Sequence, residues 1–300
     1  MFEYALTRGA AADRGETGTE DERAKIMSNF PEYETAAEGQ LTAERPEVTT
    51  GPMGRVPLSR ITERLDALFA KKDLAGAERH LKYWLGEARA LGDRGGELVI
   101  RNEMVGFYRK QGRRDDAYEA AASAVRLAGS ACSGGTEHGT ALVNAATARQ
   151  AFGDSAEAVS LFSRAREIYE KNLKSDDPRL GGLYNNFALA RLALKDYAGA
   201  RELFELALGV MSRNEGGEPS MAVTWCNLAD LAAAEKGLED SADDVKKCLG
   251  KARELLDAEG KRDGAYAFVC EKCAPVFGYY GYFIDERVLN ERAGSIYARA

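Results

Sequence analysis

From about residue 56 onward the chain alternates apolar-periodic segments with short polar breaks. Leu, Ala and Phe recur at i, i+3 and i+4, and the breaks fall at Gly, Asp or Pro. The stretch VPLSRITERLDALF sets the first of these segments going: Pro57, then Ser59 as a capping residue, then apolar residues at helical spacing. The folded body is therefore expected to start near Pro57. No alternating strand pattern competes anywhere downstream, so the expected class is all-α.

The helical segments resemble one another. Superposing DLAGAERHL, RDDAYEAAA, SAEAVSLF and YAGARELF aligns Ala77, Ala117, Ala158 and Ala200, spaced 40, 41 and 42 residues apart. Four positions later stand Leu81, Ala121, Phe162 and Phe204, and three further on Trp84, Ala124, Ala165 and Ala207. Five residues ahead of each aligned Ala lies Lys72, Gly112, Gly153 or Lys195, where a turn between antiparallel helices is expected and a left-handed backbone suits Gly. A fifth copy follows in MAVTWCNLADLAAAEKGLEDSADDVKKCLGKARELL, with a lengthened turn and a second helix expected over 242–256.

This period resembles the tetratricopeptide repeat in its longer form of about 42 residues, found also in kinesin light chains. Tyr184, Phe187, Ala188, Ala200, Phe204 and Ala207 match the consensus packing positions. Leu142, Ala145, Ala146, Gly153, Ala158, Phe162 and Ala165 do so one repeat earlier. Arg149 and Arg191 stand where the family prefers Tyr, and no Pro closes each repeat. The resemblance implies a right-handed α-solenoid of about six antiparallel helix pairs over residues 55–300, with repeats near 57–97, 98–138, 139–180, 181–221 and 222–262 and an atypical C-terminal cap over 263–300.

It also implies which residues face the concave side. In the family's register the sixth position is Asn144, Asn186 and Asn227, with Asn102 and Asn185 one position earlier. A carboxamide both donates and accepts, so a row of them suits the backbone of an extended peptide without burying a charge. The alternative is that each Asn bonds a neighbouring helix. Glu103, Arg109, Lys110, Thr147, Gln150 and Asp230 fall on the same face, giving a basic and a more acidic end, and Arg149 and Arg191 at its edge are candidates to pair with ligand carboxylates. The five-residue carboxylate clamp of chaperone-tail-binding relatives is not matched.

Charge changes the picture mainly at the N-terminus. The whole chain carries −7, and residues 1–54 hold eleven acidic and five basic residues, a net of −6. That segment is expected to be a disordered acidic tail, with Phe30 to Tyr33 as an alternative short docking motif and Met53 as an alternative start. A near-neutral body argues against nucleic acid as a partner. No apolar run is long enough for a membrane span, and the opening residues lack a secretory signal, so a cytoplasmic, reducing location is expected.

Candidate chemistry is sparse. With only His80 and His138, most metal sites and His-based catalysis are disfavoured. Cys270 and Cys273 form C-E-K-C, which on a helix places two thiols on one face and suits half a zinc site, a redox pair, or ordinary core packing. Between Tyr266 and Phe283 lie seven of the 26 aromatics, interrupted by Pro275, Gly278 and Gly281. That segment is expected to depart from a plain helix and to cap the stack or wall off one end of the groove. It also resembles a group of bacterial tetratricopeptide proteins, which implies no activity. The expected function is a non-enzymatic scaffold for a protein or linear peptide, with no cofactor. The alternative is a metal or thiol-redox protein using Cys270 and Cys273.

Overall fold

In a computed structural model, which describes residues 54–299, twelve helices and no strand succeed one another among those residues. They form six antiparallel pairs. These are α1 (Leu58–Ala70) with α2 (Leu74–Leu91), α3 (Arg94–Lys110) with α4 (Arg114–Ala131), and α5 (Thr136–Ala151) with α6 (Ser155–Asn172). Then come α7 (Pro178–Ala193) with α8 (Tyr197–Met211), α9 (Glu218–Lys236) with α10 (Ala242–Ala258), and α11 (Gly264–Tyr279) with α12 (Phe283–Tyr297). Second helices also pack on the first helix of the next pair as far as α9, and the first helices touch in succession from α3 to α11. This is the expected α-solenoid. The tail and the Phe30 to Tyr33 motif lie outside the described residues.

The turns explain the period. Lys72, Gly112, Gly153, Lys195, Gly237 and Gly281 each hold a left-handed backbone, with φ between 55° and 87°, at the turn inside each of the six pairs. Two of these turns place Lys where a Cβ is strained. Asp73 and Asp196, just after those two lysines, cap the second helix by accepting from the N–H of Gly76 at 2.8 Å and of Gly199 at 3.0 Å. Asp93 and Asp177 do the same for α3 and α7, so those helices begin a few residues before the repeat boundaries expected at 98 and 181. Such a cap contributes about 1 kcal/mol.

The aligned small residues lie where helices cross most closely. Ala77, Ala117, Ala158 and Ala200 are fully buried, as are Phe162 and Phe204 one turn later. Phe162 on α6 stacks on Phe187 of α7, with ring centres 5.8 Å apart, and carries the core from one pair to the next. Each buried Phe contributes about 2–3 kcal/mol relative to exposure.

The C-terminal segment corrects an expectation. It forms a regular helix pair whose turn, at Gly281, keeps the common device, and α11 runs through Pro275 to Tyr279. The reason is position: Pro275 stands in the last turns of α11 on its exposed side, as does Glu271, whose carbonyl loses its N–H partner and is left near solvent. α12 buries only Leu289 and Ala293, while Phe283 and Ile284 are exposed, as befits a helix with no following pair.

Candidate functional site

The residues expected on the inner face divide into two environments. On α3 and α5, Asn102, Glu103, Arg109, Asn144, Thr147 and Gln150 are half-buried. Glu103 and Arg109 are engaged by other groups, whereas no described residue hydrogen-bonds the side chains of Asn144 or Thr147. Asn102 Oδ1 and Gln150 Oε1 are buried atoms without a partner. On α7 and α9, by contrast, Asn185, Asn186, Asn227 and Asp230 are all buried, none more than 4% exposed.

Those buried residues form a polar band across three successive first helices. Asn185 on α7 is its hub: its Oδ1 accepts from Asn227 Nδ2 at 3.0 Å and from Thr224 Oγ1 at 3.1 Å, both on α9, and its Nδ2 donates to Asn186 Oδ1 at 3.5 Å. One turn beyond Asn227, Asp230 accepts from the Tyr280 hydroxyl at 2.8 Å, linking α9 to the end of α11. The three recurring Asn are therefore not equivalent. Asn227 donates to a neighbouring helix, as one of the two readings of the row has it, Asn186 accepts from Asn185 beside it, and Asn144 is half-buried outside the band. Thr224 shares a helical face with Asn227, three residues away, which makes it legible in retrospect. Tyr280, fifty residues from Asp230, gave no such signal.

Even within the band the satisfaction is incomplete. Asn227 Oδ1 and Asp230 Oδ2, one helical turn apart, have no hydrogen-bond partner. Burial without a facing cation pushes the Asp230 carboxyl up to about 8, against which the Tyr280 bond is the smaller, opposing effect. The Tyr280 hydroxyl is itself driven upward by burial and by the carboxyl beside it.

Arg149 and Arg191 are engaged within the fold, although Arg191 Nε is a buried donor without a partner. Arg149 pairs with Asp154 and Glu157, both at 3.2 Å, and its guanidinium lies 3.7 Å from the centre of the Tyr118 ring. Arg191 pairs with Asp196 and covers Phe187. In both the acid stands five residues downstream, across the turn, so the arginine fastens its own repeat in the place of the family's Tyr.

The cysteines are likewise rearranged. Cys270 and Cys273 are fully buried on α11, but Cys273 meets Cys226 of α9, whose thiol is raised well above its ordinary value by that neighbour and by burial. Burial also raises Cys270, and Cys248 to about 11. Such thiols are poor nucleophiles. Among the described residues no group of three or more His, Cys, Asp or Glu is placed to hold a metal ion. His80 Nε2 lies 3.0 Å from the Ile61 carbonyl and His138 Nδ1 accepts from the Gly134 N–H, both structural roles. No described helix is long and apolar enough to cross a membrane.

Six stacked helix pairs with a common turn define an α-solenoid built from short helical repeats. Residues 97–171 match the family model of the tetratricopeptide repeat, and the chain carries that repeat. No curated protein matches it. Among solved structures it is similar in fold to BtubC (BKLC) from P. vanneervenii, at 18% identity over 77% of this chain and 91% of that one, with a TM-score of 0.54. Two others align with lower scores. One is a Podosopora anserina protein named as a kinesin light chain, with nearly identical TPR-like repeats, at 20% identity, 67% and 95% coverage and TM-score 0.47. The other is a Rap protein complexed with Competence and Sporulation Factor, at 15% identity, 82% and 77% coverage and TM-score 0.46.

Proposed function

We propose that this chain is a non-enzymatic scaffold that holds a protein or linear peptide segment against its first helices. One observation carries the reading. Four side-chain oxygens, of Asn102, Gln150, Asn227 and Asp230, are buried without a partner on first helices at positions assigned to the inner face, and one buried donor, Arg191 Nε, is unmet at the edge of that face. A buried acceptor left unmet costs about 1–3 kcal/mol, so native folds rarely keep several on one surface. An extended peptide presents N–H donors at regular intervals and would meet them. Asn144 and Thr147, half-buried and unbonded between Asn102 and the band, offer further contacts of the same polarity.

The thiol reading has less support, because its two cysteines are buried and burial raises the Cys270 thiol. The test of the scaffold is selection from a random linear-peptide display library on the full chain, beside the Asn144→Ala, Thr147→Ala, Gln150→Ala variant. Enriched peptides should bind the native chain with Kd around the micromolar range and lose about tenfold or more on the variant, whose circular dichroism should be unchanged. No enrichment, or equal binding by both proteins, would overturn the reading.

A further inference from the structure

The Asp230 end of the inner face carries a more specific message than the rest of it. Of its two carboxyl oxygens, Oδ1 accepts from Tyr280 and Oδ2 is unmet, and Asn227 Oδ1, one turn away on the same side of α9, is unmet as well. We propose that Asn227 and Asp230 form a subsite for a guanidinium group, the arginine side chain of the segment held by this face, and the proposal rests on the scaffold reading for the source of that arginine.

Three features of the site favour this ligand. Asn227 Oδ1 only accepts, and Asp230 Oδ2, which carries the acid's proton while the carboxyl is neutral, accepts once that proton leaves, so the partner of the ionised site is a donor. One acceptor is a carboxyl with no cation facing it: the titratable groups acting on it or feeling its charge are Tyr280, Cys226 and Cys248, none of them cationic. The two oxygens also stand one helical turn apart, a separation that a planar fork with five N–H donors spans better than a compact ammonium does. A site that is electrically neutral when empty avoids leaving a bare buried charge. On arrival of the guanidinium, Asp230 releases its proton to solvent and the carboxylate so formed pairs with the cation, so one positive charge enters and one leaves.

Tyr280 borders the subsite. It stands half-buried at the end of α11, immediately before Gly281, whose left-handed backbone joins α11 to the turn. Its hydroxyl occupies one carboxyl oxygen and leaves the other to the ligand.

The probe is N-ethylguanidinium, with N-ethylurea as its neutral counterpart, added to the full chain carrying 13C-labelled Asp carboxyls. The Asp230 signal is assigned by its loss in Asp230→Asn, and the titration itself uses only the native protein. Addition of N-ethylguanidinium should convert the Asp230 signal at neutral pH from protonated to ionised and move its midpoint to lower pH by about 1 or more, as a cation at contact distance does. N-ethylurea should leave it in place. An Asp230 signal unmoved by N-ethylguanidinium, or moved equally by N-ethylurea, would overturn the subsite.

The two readings fail separately. A chain that responds to the small probe but enriches no peptide loses the scaffold and keeps the guanidinium site. A chain that enriches peptides without preference for arginine, and whose Asp230 ignores the probe, loses the subsite alone.

Discussion

The solenoid treats its carboxylates in opposite ways in two regions. Near the turns of the earlier pairs, three acids meet a cation beside an aromatic ring: Glu78 bonds Arg113, Lys82 and Tyr108, Asp154 bonds Arg149 and Tyr118, and Asp196 bonds Arg191 beside Phe187. Hydrogen bonds from Arg113 and Lys82 hold Glu78 down at about 2, and Asp154 is lowered by Tyr118 and Arg149. Where α9 meets α11, Asp230 likewise has a tyrosine but no cation, and it rises to about 8. The ingredients are the same except for the arginine. That difference separates a fold that completes its own ion pairs from a position where the positive partner comes from elsewhere.

The largest expected effect calibrates the regular region. Phe162→Ala removes a fully buried ring that joins two pairs and should destabilise the chain by about 3–5 kcal/mol, read as a lower urea midpoint. If the loss stays below about 1 kcal/mol, the pairs do not share one core. Next comes Asp230→Asn, with the opposite sign. Asp230 is raised in the fold, so the stability tied to its proton is complete below the ordinary carboxylate range and is lost as pH rises through about 8. The amide is free of that penalty. The variant should gain on the native chain between about pH 4 and pH 8, by at most about 1.4 kcal/mol per pH unit, and level off above that range. Parallel unfolding curves across that range would show that Asp230 is ionised in the fold and remove the contrast between the regions.

Much of this was legible in the sequence, for reasons that differ residue by residue. The aligned Ala and Phe positions and the turns at 72, 112, 153 and 195 follow from a period that each repeat must keep in order to stack. For the residues assigned to the inner face, the sequence did not show their state. Helical register assigns Asn227 to that set, yet whether it opens to solvent depends on Asn185, which belongs to another helix and is offset by one position from the row. The same limit hid the meeting of Cys226 with Cys273 and of Asp230 with Tyr280, which join different pairs. Arg149 and Arg191 were a different kind of miss, since their acids lie five residues downstream in the same sequence. Pro275 misled because a helix tolerates proline near its end on an exposed side.

A smaller effect probes the paired acids directly. Glu78 is lowered by Arg113 and Lys82, so its contribution is present above the ordinary carboxylate range and is lost as pH falls toward about 2. Glu78→Gln should cost about 1 kcal/mol at pH 7, discounted for the pair's access to solvent, and nothing near pH 2. The pH dependence therefore runs opposite to that of Asp230→Asn, and the two measured together test the comparison without relying on either absolute value. A Glu78→Gln difference that persists unchanged at low pH would assign the cost to packing instead of charge.

The smallest expected effect asks whether the regular region, which completes its ion pairs, also carries strain. Lys195 holds φ at 61° where Gly112 and Gly153 occupy the equivalent turns, and a Cβ in that conformation is penalised by about 1 kcal/mol. Lys195→Gly relieves that strain but gives the unfolded chain more freedom, and the two effects oppose each other. A net gain of about 0.5 kcal/mol is expected, with Lys72→Gly behaving alike because Asp73 caps its helix just as Asp196 does. Neither lysine touches the inner face, so peptide binding and the Asp230 titration should be unchanged. If Lys195→Gly destabilises the chain, the turn is held by its side chain and the glycines at 112 and 153 are not its equivalents. If it stabilises the chain but alters the Asp230 midpoint, the two regions are coupled through the stack, and the contrast between them is one of degree.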